Sequence, residues 1–153
     1  MLLARIHIDR DELDAAYVRL ARVLRSHPRN VDALYYLGLV TGQLAAEQFE
    51  RVVEGAPASA RAHLLLAESL TAQERRMEAE GEYEAALAAN PDLVDAMLGL
   101  AKLKRIRLDC EGAVALYTKA EALDPSFDGA FGFGSCAVRQ GDHASALVQF
   151  ERA

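Results

Sequence analysis

Residues 79–91 read AEGEYEAALAANP, and residues 113–125 read AVALYTKAEALDP. Both stretches follow one spacing: a small residue, a tyrosine four positions later, an alanine three positions after that, and a proline after a further five. Residues three and four apart share one face of a helix. Proline lacks the backbone N–H that would continue a helix. Each stretch therefore predicts a helix with one packed face that ends just before its proline.

The same spacing recurs through the chain. The four prolines, which are 29, 34 and 34 residues apart, are Pro28, Pro57, Pro91 and Pro125. The small residues are Ala16, Ala45, Ala79, Ala113 and Ala146, and the large residues that follow them are Leu20, Phe49, Tyr83, Tyr117 and Phe150. A second pair, large then small, precedes each set at Leu3-Ala4, Leu37-Gly38, Leu66-Ala67, Leu100-Ala101 and Phe133-Gly134. A period of about 34 residues predicts an array of helical repeats.

On these positions the chain resembles the tetratricopeptide repeat (TPR) family. The resemblance covers five units, at about 1–30, 31–59, 60–93, 94–126 and 127–153. It implies an all-α fold, a right-handed solenoid of stacked antiparallel helix pairs. The sequence departs from the family at an early position of the first helix, where an aromatic residue is usual and Leu34, His63 and Met97 stand instead.

The pattern predicts ten helices. Their ranges are 1–9, 12–26, 30–42, 44–55, 60–72, 76–89, 94–106, 110–122, 127–139 and 143–153.

Composition narrows the classes of function. The chain has 153 residues, 52% of them hydrophobic, and a net charge of −6. It is long enough to bury a core, and it lacks the uniform positive field that nucleic acid binding needs. We expect no membrane span and no signal peptide. Cys110 and Cys136 are expected to be free, buried thiols. Arginine outnumbers lysine and alanine is abundant, which indicates a bacterial source.

The second repeat is about five residues shorter than the others, and the loss falls between Thr41 and Ala45. An antiparallel helix pair needs a loop of roughly 2–5 residues. Two explanations stay open: a compressed turn at Gly42-Gln43, or a turn omitted between Gln43 and Leu44.

Both chain ends fall inside a repeat. Helical arrays need polar capping units to stay soluble, and Leu147 with Phe150 presents an apolar face at the C-terminal end. We therefore expect a piece of a longer array, or association of copies through their ends.

The family resemblance implies a concave groove lined by the first helix of each unit. One row would hold Met1, Tyr35, Leu64, Leu98 and Phe131; the next, Arg5, Leu39, Glu68, Lys102 and Ser135; and a flanking row, Asp32, Arg61, Asp95 and Asp128. The first row is apolar, which favours an extended peptide or an amphipathic helix of another protein as the ligand. The alternative is that a further segment of the same protein covers this row.

One positive patch interrupts the acidic chain, at Lys102, Lys104, Arg105 and Arg107. Helical spacing places Lys102 and Arg105 on the groove side and directs the other two elsewhere. The patch is either a solvated face or a docking point for an acidic part of the partner. The residues that grip a C-terminal carboxylate in one subset of the family are absent, because Tyr35, Leu39, Tyr36, Leu65 and Asp95 stand there.

Catalytic motifs are missing. The four histidines, at positions 7, 27, 63 and 143, form no HxxxH or HExxH, and the glycine-rich stretch 129–135 lacks the lysine of a phosphate-binding loop. We expect no cofactor, no metal and no enzymatic activity. The sequence thus predicts a protein-binding scaffold, with two alternatives: self-association through the chain ends, or an accessory array of a larger enzyme such as a transferase.

Overall fold

A computed structural model describes residues 2–153. In this range the chain forms nine helices and no strand. They are α1 (Leu2–Asp9), α2 (Leu13–Ser26), α3 (Val31–Gly55), α4 (Ala60–Ala72), α5 (Arg76–Ala89), α6 (Val94–Ile106), α7 (Cys110–Leu123), α8 (Phe127–Gln140) and α9 (His143–Arg152). The all-α prediction is confirmed, and eight of the nine helices agree with a predicted range within one residue at each end.

The prediction of two helices at 30–42 and 44–55 is wrong. Both explanations for the short repeat assumed a turn near Gln43, and the structure instead continues as one helix of 25 residues, α3. Losing the turn residues leaves helix-forming sequence on both sides of the junction. A helix already begun adds a hydrogen bond for each residue that it gains, so it runs on through Gly42 to Gly55.

The chain divides into two compact units, one ending at Gly55 and one formed by residues 56–153. In the first unit, α2 packs against both α1 and α3. Its core consists of Ala4, Leu13, Ala16, Leu20, Ala33 and Val40.

The second unit contains three helix pairs, α4–α5, α6–α7 and α8–α9, and each pair packs on the next. The small residues of the pattern form the closest contacts, since Ala67, Ala79, Ala101 and Ala113 are fully buried. Small residues at a helix crossing let two backbones approach, and larger side chains beside them fill the remaining space.

Two tyrosines join successive pairs in the second unit. The Tyr83 ring packs on Gly99 of α6, and the Tyr117 ring packs on Gly132 of α8. A methyl group at either glycine would lie within 2.4 Å of the ring. Two glycines of the 129–135 stretch, Gly132 and Gly134, therefore make room for rings, and α8 runs through the stretch as a regular helix.

The turns inside the helix pairs share one backbone conformation. Asp11, Glu74, Leu108 and Gly141 all have positive φ. In each turn the next residue's N–H donates to a carbonyl five residues earlier at 2.9 Å, as in Asp109 to Lys104 and Asp142 to Ala137. This left-handed ending satisfies the last carbonyls of a helix and reverses the chain. Within the described residues, α3 has no such position.

None of the helices in the described part of the chain is both long and apolar enough to cross a membrane.

Candidate functional site

A groove of about 660 Å³ lies in the second unit. Its walls come from the first helix of each pair, α4, α6 and α8, and Tyr83 and Tyr117 reach it from α5 and α7. Gly99 and Gly132 admit the two rings against α6 and α8.

Five of the predicted binding residues meet around this groove. They are Glu68, Leu98, Lys102, Arg105 and Phe131. Acidic and basic side chains share the wall, which includes Asp95, Asp128 and Lys102. The arrangement therefore offers apolar surface bordered by charges of both signs.

Other predicted binding residues lie elsewhere. Leu64 is only 4% exposed and belongs to the core cluster with Ala67 and Leu100, so its assignment to the groove is wrong. It faces the neighbouring helices because α5 and α6 both pack on α4. The exposed Arg61 is bonded to Asp95 at 3.1 Å rather than lining the groove. The Ser135 hydroxyl donates to the Phe131 carbonyl at 2.7 Å.

Tyr35 and Leu39 belong to the first unit and are exposed, at 62% and 47%. Tyr35 packs edge-on against Tyr36, with ring centroids 5.3 Å apart. The predicted row also included Met1, which lies outside the described residues.

Three phenylalanines form an aromatic patch at one side of the groove. Phe127 and Phe131 are stacked with centroids 5.7 Å apart, and Phe150 lies 5.8 Å from Phe131. Phe127 was not predicted as a groove residue, although it stands four positions before Phe131 and so shares its helix face. Phe127 is 60% exposed and Phe131 45%, which leaves apolar surface open to a ligand.

Arg105 lines the groove, and one donor of its guanidinium has no hydrogen-bond partner among the described residues. This donor is the buried Nε. Desolvation by burial raises the pKa of the neighbouring Tyr117, although Arg105 acts in the opposite direction. Because Arg105 lines the groove, its positive charge would attract a carbonyl or a carboxylate of a ligand.

The four residues of the positive patch point in two directions, as their helical spacing predicts. Lys104 and Arg107 turn to Glu80 of α5, with Lys104 Nζ 3.5 Å from its carboxylate. Lys102 and Arg105 face the groove. Only the second pair is thus placed to meet a ligand there.

The apolar surface predicted at the C-terminal end, Leu147 with Phe150, is partly covered. Leu147 is 61% exposed, whereas the Phe150 ring packs against Phe131 and Gly134 and is 39% exposed. Association through Leu147 and Phe150 stays a prediction.

The side chains that could bind a metal or act in catalysis are dispersed through the fold. Among the described residues no cluster of three or more His, Cys, Asp or Glu side chains is placed to hold a metal ion. His7 pairs with Glu12 at 2.5 Å and His63 with Glu82 at 2.7 Å. Cys110 and Cys136 are buried and free, and burial, with Cys110 beside it, raises the pKa of the Cys136 thiol to about 12.

Comparison with known proteins agrees with this architecture. The family model described as "Tetratricopeptide repeat" matches residues 1–40, 43–92 and 107–153. The break between the first two matches falls inside α3, where the turn of the second repeat is missing. Proteins of this family are protein-interaction scaffolds.

Several solved structures share the fold. A crystal structure of MamA is 21% identical, covering 99% of this chain and 92% of that one, with a TM-score of 0.64. YrrB, described as a TPR protein with an unusual peptide-binding site, is 16% identical, covering 97% and 80%, with a TM-score of 0.62. A thermophilic TPR protein of Thermus thermophilus is 20% identical, covering 100% and 87%, with a TM-score of 0.60. No curated protein matches the chain.

Proposed function

We propose that this chain, which belongs to the tetratricopeptide repeat family, is a non-enzymatic scaffold that binds a segment of another protein in the groove between α4, α6 and α8. The ligand is an extended peptide or one face of an amphipathic helix. The observation that carries the proposal is the exposed stack of Phe127 and Phe131 in the same groove as Lys102 and Arg105.

The groove can hold such a ligand in two ways. Exposed aromatic rings are typical anchors of protein interfaces, because they bury a large area with few rotatable bonds to order. Leu98 and the two rings would take apolar side chains of the ligand. Arg105 and Lys102 would meet a backbone carbonyl or an acidic side chain, and so orient the ligand along the groove.

The test begins with selection of peptides from a random library on the whole chain. Affinities of the selected peptides are then compared for the wild type and Phe131→Ala, with Val138→Ala as the matched control. Both side chains are exposed on α8, at 45% and 46%, and only Phe131 lines the groove. We expect Phe131→Ala to weaken binding about 10-fold or more, as removal of an aromatic anchor commonly does, and Val138→Ala to leave it unchanged.

A second variant tests the charged contact. Lys102→Glu should weaken an acidic peptide more at low salt than at high salt, because screening reduces the contribution of exposed charges. If the selected peptides bind wild type and Phe131→Ala equally well, the groove is not the binding site.

A further inference from the structure

The long helix α3 leaves the contact residues of its repeat without partners. In the other repeats a small residue of the first helix meets a small residue of the second, and the alanines at these positions are at most 2% exposed. The matching residues of α3, Gly38 and Ala45, are both exposed. Apart from the adjoining residues and backbone of α3 itself, no atom of the described residues lies within 4 Å of a methyl group placed on Gly38.

The cause is the missing turn. The two small residues are 12 positions apart in the other four repeats, as in Ala67 and Ala79, and 7 apart in α3. With no residues left for a turn, the second half of α3 cannot fold back on the first. The surfaces that would have met within one chain are thereby displayed along a single helix.

These surfaces form one continuous stripe. Its members, three or four positions apart, are Val31, Leu34, Gly38, Gly42, Ala45, Phe49 and Val52, and such spacing places them on one side of the helix. The other side of α3, which includes Ala33 and Val40, packs in the core of the first unit. Val31 is 76% exposed and Leu34 49%, and Phe49 and Val52 are half-buried, so the first half of the stripe is the more open to solvent.

The stripe is complementary to itself when reversed. Large residues stand at both ends and small residues in the middle, arranged symmetrically about Thr41-Gly42. In an antiparallel pair of α3 helices, Gly38 would meet Ala45 of the other copy, Leu34 would meet Phe49, and Val31 would meet Val52. The corresponding residues of the third repeat, including Ala60, Ala67, Ala79 and Ala86, share one core cluster within the chain.

We propose that α3 is a dimerisation element that pairs two copies of this chain antiparallel. Each copy supplies the first half of a helix pair and receives the second half from the other, so both short repeats are completed at once. A two-fold contact of this kind requires that the same patch fit itself. Reversal symmetry in the order of large and small residues meets that requirement, which favours a second copy over an unrelated protein as the occupant.

The first experiment measures the mass of the whole chain by light scattering at micromolar concentration. We expect twice the 16.7 kDa of one chain. Ala45→Glu, which places a charge in the stripe, should give monomer with unchanged helical content by circular dichroism. Gln43→Glu adds the same charge to an exposed position off the stripe and should stay dimeric. A monomeric wild type, or a dimer that survives Ala45→Glu, overturns the proposal.

Inserting a copy of residues 73–77 between Gln43 and Leu44 restores the 34-residue repeat with its turn. The two halves can then pair within one chain, and we expect a monomer. A dimer that persists after the insertion would mean that copies associate elsewhere. A double variant, Leu147→Ser with Phe150→Ser, distinguishes pairing through α3 from association through the chain ends. If copies pair through α3, this variant remains dimeric.

Cross-linking tests the antiparallel register. Gly42 lies at the centre of symmetry, so Gly42→Cys should form a disulfide-linked dimer under mild oxidation. Glu47→Cys, on the far side of α3, should not, and the native cysteines are buried. Equal cross-linking of the two variants, or none with Gly42→Cys, contradicts the proposed pairing.

Discussion

Glycine has opposite effects on the stability of this chain at different positions. Gly132 lies beneath the Tyr117 ring, and an added methyl group would sit 2.3 Å from it. Gly81 stands on the exposed side of α5 with open space around it. The first glycine permits the packing of one repeat on the next, and the second only weakens its helix.

The pair gives a direct prediction. Gly132→Ala should destabilise the protein by about 1–3 kcal/mol, because overpacking forces the ring and helix apart. Gly81→Ala should stabilise it by about 1 kcal/mol, the usual advantage of alanine inside a helix. The midpoints of urea unfolding measure both. A Gly132→Ala protein as stable as the wild type would contradict the close contact with Tyr117.

The turns within the helix pairs depend on residues in a left-handed conformation, and Leu108 is the least suited to it. Its φ is 69°, and this conformation costs a residue with a Cβ roughly 1–2 kcal/mol. The turn persists because the Asp109 N–H bonds the Lys104 carbonyl, and the Asp109 carboxylate accepts from the Gly112 N–H to begin α7. That last bond lowers the pKa of Asp109.

We therefore expect Leu108→Gly to stabilise the chain by about 0.5–1 kcal/mol, after allowance for the greater entropy of the unfolded glycine chain. Leu147→Gly is the matched control, since both leucines are 61% exposed and Leu147 lies inside α9. The control should lose about 1 kcal/mol. Thermal unfolding of the two variants beside the wild type measures both changes, and parallel losses would refute the account of the turn.

The stability of the whole protein should fall at alkaline pH. Burial raises the pKa of Cys136 to about 12 and also raises the pKa of Tyr83 and Tyr117. In the unfolded chain the thiol loses its proton near its ordinary value of 9.0. Above that pH the unfolded state binds fewer protons than the folded state, so stability decreases as pH rises.

The prediction concerns pH 8 to 10 in the presence of a reducing agent. The urea midpoint of the wild type should decrease as the pH rises from 8 to 10, with the Cys136 thiol contributing up to about 1.4 kcal/mol per pH unit. Cys136→Ala should show a shallower decrease over the same range. An equal slope for the two proteins would show that the thiol does not cause the loss.

The local pattern of this chain is sufficient for most of its helices. A small residue, a large one and a proline recur with a 34-residue period, and this pattern predicted the bounds of α4 to α9 within one residue. The bounds of these helices can be predicted from the sequence because their causes are local. One helix face is buried, and proline lacks the N–H that would continue the helix, and both effects depend on residues only a few positions apart. The same logic separated Lys102 and Arg105 from Lys104 and Arg107.

Contacts between helices were less predictable from the sequence. Leu64 was assigned to the groove and is buried, and Phe127 lines the groove without having been assigned to it, because the packing of neighbouring repeats decides which faces stay open. The turn expected near Gln43 was inferred from the other repeats, whereas the five-residue loss lets one helix continue to Gly55.

The sequence by itself thus determined the helical repeat architecture, the family and the positions of closest packing, since these follow from periodicity and side-chain size. Only the tertiary structure decided which apolar residues line an open groove, why Gly99 and Gly132 must be glycine, and that Gly38 and Ala45 stand exposed on one continuous helix. The physical reason is that exposure belongs to a residue's neighbours in space, and those are set by how complete helices pack.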